Sequence, residues 1–229
     1  YAEDRQRFMI EKSDFTSSPP LREAVDKALT RSTIPLEKIQ CFDFYSRFPC
    51  AVSIAKKMTG LSDHDPRTLT LTGGLGFFGG PGNNYSLHSI ATLAEKIACG
   101  TYSNGLITAL GWFMHKHAAG VYGAEPRPGG IKDYDLEDKK SPLCGGTPEI
   151  IQEEVNGTGF IQTYTVVFSR DRTPAYAVIY GKTHEGLRFI ARTPDSSELF
   201  SMLMKESQVG QKVKIQFDSS KNINIAELI

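Results

Sequence analysis

Residues 69–98 constrain the fold of this chain more than any other stretch. They include six glycines within ten residues, and the run that leads into these glycines, residues 68–72, is β-branched and apolar. Such a run predicts a strand. After the glycines, apolar residues recur with the spacing of one helical face, and Asn83 or Asn84 is suited to the N-cap position. The stretch therefore predicts a strand, a glycine-rich turn and a helix.

The glycine-rich turn has two interpretations. It lets the backbone approach a ligand closely, and the free N–H groups at the helix start favour an anion or a developing oxyanion. Alternatively, the glycines only allow tight packing of a buried turn. Gly74, Gly76 and Gly79 match the G-x-G-x-x-G pattern, but a dinucleotide site also needs an acidic residue about twenty positions later, and Glu95 lies inside the predicted helix. No Lys-Ser/Thr pair follows the last glycine, which excludes a P-loop.

The rest of the first half alternates predicted helices with predicted strands. Helices are expected to start at residues 17–20 and 48–49, and strands are expected over residues 39–45, 105–113 and 118–122. This alternation predicts an α/β layer fold with a largely parallel sheet.

The pattern changes after a proline- and glycine-rich stretch that carries a charged patch at residues 133–140. Five strand-like runs then follow, with one helix before the last pair: residues 160–169, 175–181, 187–192, 212–217 and 223–226, and the helix over 197–204. This order predicts a small OB-like β-barrel. We therefore expect an α/β domain over residues 1–125, a linker over 126–157 and an additional domain over 158–229.

Three segments carry a resemblance to the thiolase superfamily. Gly73-Gly74 followed by Gly79-Gly80-Pro81 resembles the segment of that family with Gly-Gly, a few apolar residues and Gly-His-Pro. Residues 45–48 overlie Asn-Glu-Ala-Phe, or His-Asp-Cys-Phe in the sterol-carrier type, and residues 105–112 overlie Cys-x-Gly-Gly-Gly. The closest resemblance is to sterol-carrier-type thiolases and thiolase-like proteins of type 1, which carry an additional C-terminal domain. It covers residues 17–122 by motif and the C-terminal region by overall pattern.

The resemblance implies the C-terminal half of a thiolase-like α-β-α fold that binds coenzyme A thioesters, as substrate or ligand, without another cofactor. For the family it implies acyl transfer through a cysteine-bound intermediate. The N-terminal half, which would carry that cysteine, is expected to be absent from these residues. Gly80 stands at the histidine position, and residues 105–112 contain no cysteine, although Gly111 is retained. Because both groups that manage protons are missing, we expect thiolysis or Claisen condensation to be impaired.

The resemblance also implies the candidate site. Tyr45 takes the Asn/His position, which in the family helps to hold a catalytic water; the alternative is a purely structural tyrosine. His115, which is near the last motif in the sequence, is the second candidate for the proton transfer. The expected coenzyme A pocket consists of the residues of the three motifs: Ser46, Phe48, Gly79, Gly80, Pro81, Asn83, Asn84, Gly111 and Trp112.

His115 and His117 have the i, i+2 spacing of two metal ligands on one side of a strand, but no third ligand is evident. We therefore expect a surface pair and no metal.

Composition excludes several classes of protein. The 26 basic and 26 acidic residues give no electrostatic reason to expect a nucleic-acid or membrane partner. No apolar run approaches the roughly 20 residues of a membrane span, and the polar first residues do not form a signal peptide. The cysteine positions suggest reduced, buried thiols at Cys41 and Cys99. We expect a cytoplasmic protein, with a peroxisome or another organelle as alternatives, that pairs with an N-terminal thiolase half and forms a homodimer.

Two other functions compete with an acyltransferase. One is a non-catalytic acyl-CoA-binding or structural partner subunit. The other is a nucleic-acid-binding OB-like domain on an inert body, with stacking aromatic residues supplied by Tyr164, Phe168, Tyr176 and Tyr180. Because basic residues do not cluster with these aromatic residues in the sequence, we expect them to pack in the core.

Overall fold

The computed structural model describes residues 1–126 and 143–229. It divides into two compact units: Tyr1–Met9 with Asp14–Thr147, and Ile10–Ser13 with Pro148–Ile229. The charged patch at residues 133–140 and the centre of the expected linker lie outside the described residues. The predicted boundaries of that linker therefore stay a prediction.

The first unit contains a mixed sheet and helices that pack on it. Its strands are β1 (Ala2–Asp4), β2 (Phe42–Asp43), β3 (Asn104–Gly111), β4 (Lys116–Gly123) and β5 (Leu143–Cys144). Its α-helices are α1 (Pro19–Ser32), α2 (Pro49–Thr59), α3 (Leu75–Phe78) and α4 (Tyr85–Ala98). The starts predicted for α1, α2 and α4 are confirmed within a residue or two.

The strand order in this sheet is β2-β3-β4-β1-β5. The pairs β2–β3 and β1–β5 are parallel, whereas β3–β4 and β1–β4 are antiparallel. The α/β class is confirmed, but the expectation of a largely parallel sheet is wrong. The reason is the short turn at residues 112–115, which returns the chain directly from β3 into β4 as a hairpin.

The strand predicted over residues 68–72 is also wrong in its detail. The segment lies beside β2, where Phe42 N donates to Thr68 O at 2.7 Å, Phe44 N to Leu69 O at 2.8 Å and Leu71 N to Phe42 O at 3.1 Å. This pairing extends only around the bridge between Asp43 and Thr70 and forms no regular strand. Thr72 N then donates to the Asp43 carboxylate at 2.8 Å. Because a side chain takes this donor, the ladder ends and the glycine-rich turn begins.

Helices cover both faces of the sheet. Phe42, Phe44 and Leu106 pack with residues of α1 and α2 in one buried cluster. Cys41 and Ile107 pack with Leu93 of α4 in another. Since successive residues of a strand point to opposite faces, this alternation places α4 on the face opposite α1 and α2. The α-β-α layering is therefore confirmed.

The second unit is a closed five-stranded barrel. Its elements are β6 (Gly157–Phe168), β7 (Pro174–Thr183), β8 (Arg188–Arg192), α5 (Ser197–Lys205), β9 (Lys212–Asp218) and β10 (Ile223–Leu228). The strand order is β10-β8-β7-β6-β9, with β9 also paired to β10 and with β8 and β10 parallel. Inside the barrel, a Cβ at Gly181 would overlap the Phe189 ring, so this position needs glycine. The predicted OB-like barrel is confirmed.

Among the described residues, no helix is long and apolar enough to cross a membrane.

Candidate functional site

Two of the three motif segments meet where β2 ends, and the third forms most of the neighbouring strand β3. Because β2 and β3 are parallel, their carboxyl ends lie at the same edge of the sheet. The Tyr45 turn follows β2, and Trp112 follows β3. Tyr45 N donates to Thr108 Oγ1 of β3 at 3.0 Å, which fixes the turn to its neighbour. The Tyr45 turn therefore lies beside β3, which continues past the end of β2 as far as Gly111.

Tyr85, the first residue of α4, joins the Tyr45 turn to the glycine-rich turn. Its buried hydroxyl lies 2.8 Å from Thr72 Oγ1 and 3.1 Å from Ser46 Oγ. Ser46 Oγ in turn accepts the N–H of Leu75 at 2.8 Å. The Tyr45 ring meets the Tyr85 ring edge-on, with centroids 5.1 Å apart. One buried side chain thus holds both turns in place.

Asp43 anchors this network to the sheet. Its buried carboxylate accepts hydrogen bonds from Thr72 N at 2.8 Å, Thr72 Oγ1 at 3.0 Å and Ser89 Oγ at 2.8 Å. Such charge-assisted bonds compensate the cost of burying a carboxylate. Burial raises the pKa of Tyr85 in the same network, which keeps its phenol protonated. Sequence reasoning missed Asp43, Thr72 and Ser89, although hydroxyl residues on both sides of the glycines were an available signal.

The glycine-rich turn contains α3, which the sequence did not predict. Gly74 caps its start with φ 96°, and Gly79 caps its end with φ 78°; both values belong to the left-handed region that favours glycine. Gly80 has a different constraint. A Cβ there would lie 2.6 Å from Leu75 Cδ1 and 2.9 Å from Tyr85 Cβ. In this packing no side chain fits at the position that the resemblance assigns to histidine.

His88 lies against the same turn. It belongs to the first turns of α4, its Nδ1 is 3.4 Å from Gly79 O, and its ring centroid is 5.4 Å from that of Phe78. Sequence reasoning missed it because the histidine is nine positions from Gly79 along the chain. Asn84 occupies the N-cap position of α4 as predicted, without a side-chain capping bond.

Most of the other residues of the predicted pocket are exposed. Pro81, Asn83 and Asn84 are exposed, Gly111 ends β3, and Trp112 has φ 53° and is 65% exposed. The Phe48 ring is also exposed, with the Arg47 guanidinium 5.5 Å from its centroid. The roles of these residues in binding stay predictions.

The histidine pair occupies a different place. His115 and His117 are both buried, so the expectation of a surface pair is wrong. His117 Nε2 lies 3.0 Å from Ser18 Oγ at the start of α1, and the His115 ring stacks on Phe113. His117 therefore contacts α1, on the face opposite the α4 network that contains Tyr45. The described part of the chain contains no group of three or more His, Cys, Asp or Glu arranged to hold a metal.

Two thiols differ sharply in environment. Cys41 is buried as predicted, and burial, followed by the charge of Asp43, raises its pKa to about 11. Cys99 is exposed, so the expectation of a buried thiol there is wrong. It follows the last residue of α4, beyond the part of the helix that packs on the sheet. A hydrogen bond with the Thr101 hydroxyl lowers the pKa of Cys99.

Comparisons with known proteins cover both units. Residues 145–220 match the family described as the thiolase-like protein type 1 additional C-terminal domain. The crystal structure of a monomeric SCP2-thiolase-like protein type 1 from Mycobacterium smegmatis matches at 33% identity and a TM-score of 0.80. That match covers 100% of this chain and 49% of the other, so the chain spans about half the length of that relative.

A second solved structure, an Ltp2-ChsH2(DUF35) aldolase, matches at 18% identity and a TM-score of 0.22 over 31% of this chain and 55% of the other. A match at this level supports no conclusion about this chain. No curated protein matches the chain. With its layered α/β unit, its glycine-rich and strand-end motifs and its OB-like barrel, the chain belongs to the thiolase superfamily, in which it is similar to SCP2-thiolase-like protein type 1.

Proposed function

We propose that this chain binds a coenzyme A thioester at the sheet edge formed by the Tyr45 turn and the glycine-rich turn. The observation that carries the proposal is the Tyr85 network, which joins two segments that match ligand-contacting motifs of the superfamily. Because this network exists before a ligand binds, its backbone donors need no reorganisation when the ligand arrives. The ligand class itself comes from the superfamily and not from the geometry.

Oxyanion and phosphate recognition would use the backbone between Gly79 and Tyr85. α4 is 14 residues long and begins directly after the exposed Asn83 and Asn84. A helix start of this length favours a negatively charged or partially negative oxygen. Tyr45 would add a phenolic donor from the neighbouring turn, as the resemblance implies.

Turnover should be much weaker than binding. Thiolase chemistry needs a thiolate, a base that forms it and a second group that moves the substrate proton. No side chain fits at Gly80, and residues 105–112 contain no ionisable group. The nucleophilic cysteine would come from an N-terminal thiolase half. His88 lies at the glycine-rich turn, whereas His115 does not. Any residual proton transfer would therefore use His88.

A non-catalytic partner subunit is the second candidate, and one surface favours it. The outer side of α4 is apolar and open, with Leu87 62% exposed and Ala91 and Ala94 also exposed. The relative from Mycobacterium smegmatis is described as monomeric and has about twice the length of this chain. We therefore propose that α4 packs against an N-terminal thiolase half in preference to a second copy of this chain.

Two measurements test the proposed function. Trp112, the single tryptophan of the chain and a residue of the predicted pocket, is the fluorescent probe for ligand binding there. We expect acetyl-CoA to change this fluorescence saturably. With an N-terminal half supplied, we expect single-turnover thiolysis of acetoacetyl-CoA at least about 10⁴ slower than in an active thiolase, since each lost proton-transfer group is worth about 10² to 10⁴. Ordinary turnover would contradict the expected impairment, and residual turnover that survives His88→Gln would contradict the role proposed for His88.

A further inference from the structure

The outer face of β7 and β8 carries aromatic residues that the sequence placed in the core. Along β7, Ala177 and Ile179 are buried inside the barrel, so Tyr176 and Tyr180 point outward. Tyr180 is paired with Ile190 of β8, which is 41% exposed. The expectation that these two tyrosines pack in the core is therefore wrong.

An arginine is stacked on this aromatic face. The guanidinium carbon of Arg192, the last residue of β8, lies 3.7 Å from the centroid of the Tyr176 ring. Arg192 is itself exposed. A planar guanidinium on an aromatic ring presents both a stacking surface and donors for an anion.

The loop between β6 and β7 adds two more cations next to Tyr176. Arg170 and Arg172 are both exposed in this loop. Asp171 orders it from within, because its carboxylate accepts hydrogen bonds from Thr173 N at 3.1 Å and Thr173 Oγ1 at 2.7 Å, and from the Ser169 hydroxyl. The two arginines are thus displayed from a fixed turn.

Carboxylates occupy the other end of the same face. Glu149 lies 3.3 Å from Lys182 Nζ and 3.9 Å from Arg188 Nη2, so these two cations share a carboxylate partner. Glu153 and Glu154 line a cavity beside Ile190. The face therefore carries cations at the loop end and aromatic residues in the middle, and the region beyond Ile190 carries carboxylates together with Lys182 and Arg188.

We propose that this face binds a phosphorylated nucleoside of mononucleotide size. The base would stack on the tyrosine and Arg192 surface, and the phosphates would meet Arg170 and Arg172. In OB folds the second and third strands and the first loop form the ligand face, and β7, β8 and the β6–β7 loop are those elements here. A longer strand would bring phosphates against Glu153 and Glu154, which repel them. This site does not depend on the coenzyme A site of the first unit.

Calorimetric titration of the whole chain with ADP tests the proposal, with adenosine and inorganic pyrophosphate titrated in parallel. We expect saturable ADP binding that is tighter than either part alone. Arg192→Ala should weaken ADP binding about tenfold or more, as the loss of one base stack does. The double change Arg170→Ala with Arg172→Ala should weaken ADP and pyrophosphate alike. Lys205→Ala on α5 is the matched control and should leave both affinities unchanged, and thermal unfolding followed by circular dichroism verifies that each variant folds.

Three results would overturn the proposal. The first is the absence of saturable ADP binding, or an affinity that Arg192→Ala leaves unchanged in a folded variant. The second is ADP binding that changes Trp112 fluorescence and survives the barrel substitutions, which would assign the nucleotide to the first unit. The third is a short oligothymidylate that binds tighter than ADP with a steep salt dependence, which would assign the face to single-stranded nucleic acid instead.

Discussion

At the residue scale, tight packing and the expected loss of proton transfer meet at the same position, Gly80. The resemblance assigns a histidine to this position, and the structure leaves it no room beside Tyr85. The network that holds the two turns together therefore occupies the space that a proton-transfer side chain would need. This is why we expect binding to be retained while turnover is lost.

Alanine substitution tests that packing argument. Gly80→Ala should lower the free energy of unfolding by about 1–3 kcal/mol, because Tyr85 Cβ cannot move without disturbing the start of α4. Gly76→Ala is the matched control in α3, where a Cβ meets nothing within 4 Å. It should be neutral or stabilise by up to about 1 kcal/mol. Urea unfolding measures both, and equal effects would contradict the account.

Thiol reactivity should follow the environments of the cysteines. Burial raises the pKa of Cys41 to about 11, whereas a hydrogen bond lowers that of exposed Cys99, and Cys50 is also exposed. Since the thiolate is the reactive form, iodoacetamide at neutral pH should label Cys99 and Cys50 well before Cys41. Site-resolved mass spectrometry over time measures this order. Early labelling of Cys41 in the folded protein would show that its buried position is wrong.

At the element scale, sequence pattern predicted the regular parts well. Capping residues and helical periodicity gave the starts of α1, α2 and α4, and alternation gave all five barrel strands. The failures lie where long-range contacts decide. Residues 68–72 pair with β2 over only a short length. The Asp43 side chain accepts the Thr72 N–H, a contact between residues 29 positions apart. The outward direction of Tyr176 and Tyr180 likewise required knowing which side of β7 faces the barrel interior.

The loop at residues 62–67 makes a pH-dependent contribution to stability. Arg67 donates to both carboxylate oxygens of Asp65 at 2.9 and 2.6 Å and to the carbonyls of Leu36 and Ile39. The hydrogen bond from Arg67 lowers the pKa of Asp65 from 3.8 to about 2. The pair therefore stabilises the fold fully above pH 4, and this contribution is lost as the pH falls towards 2.

Asp65→Asn should remove that contribution. At neutral pH we expect a loss on the order of 1 kcal/mol, because partial exposure to solvent screens the pair. Near pH 2 the variant and the natural sequence should have nearly the same stability. Urea unfolding at both pH values gives the comparison. An equal loss of stability at both would mean that the hydrogen-bond geometry, and not the charge of Asp65, causes the effect.

At the scale of the whole molecule, the candidate site shows what a linear sequence cannot reveal. The motif segments could be identified because each is continuous. Their connection could not, because Asp43, Thr72, Tyr85 and Ser89 are separated in sequence and only the fold brings them together. His88 replaced His115 as the histidine near the site for the same reason.

The exposed face of α4 should make the isolated chain self-associate. Apolar surface of this kind on a helix is usually covered by another element. Sedimentation velocity should show concentration-dependent association, and Leu87→Glu should shift the chain towards monomer. Ile150→Glu, at an exposed apolar residue of the second unit, is the control and should have no such effect. A stable monomer at all concentrations would contradict this prediction.

Calorimetric titration with acetyl-CoA tests the central claim most directly. We predict saturable binding by the natural chain and binding about tenfold weaker in Tyr85→Phe, which removes the hydroxyl that joins Ser46 to Thr72. Tyr164→Phe is the matched control, since its hydroxyl also lies within hydrogen-bond distance of two partners, Leu203 O at 2.9 Å and Glu206 O at 3.1 Å, but in the barrel. It should leave the affinity unchanged. No saturable binding, or equal affinity in the natural chain and Tyr85→Phe, would contradict the account.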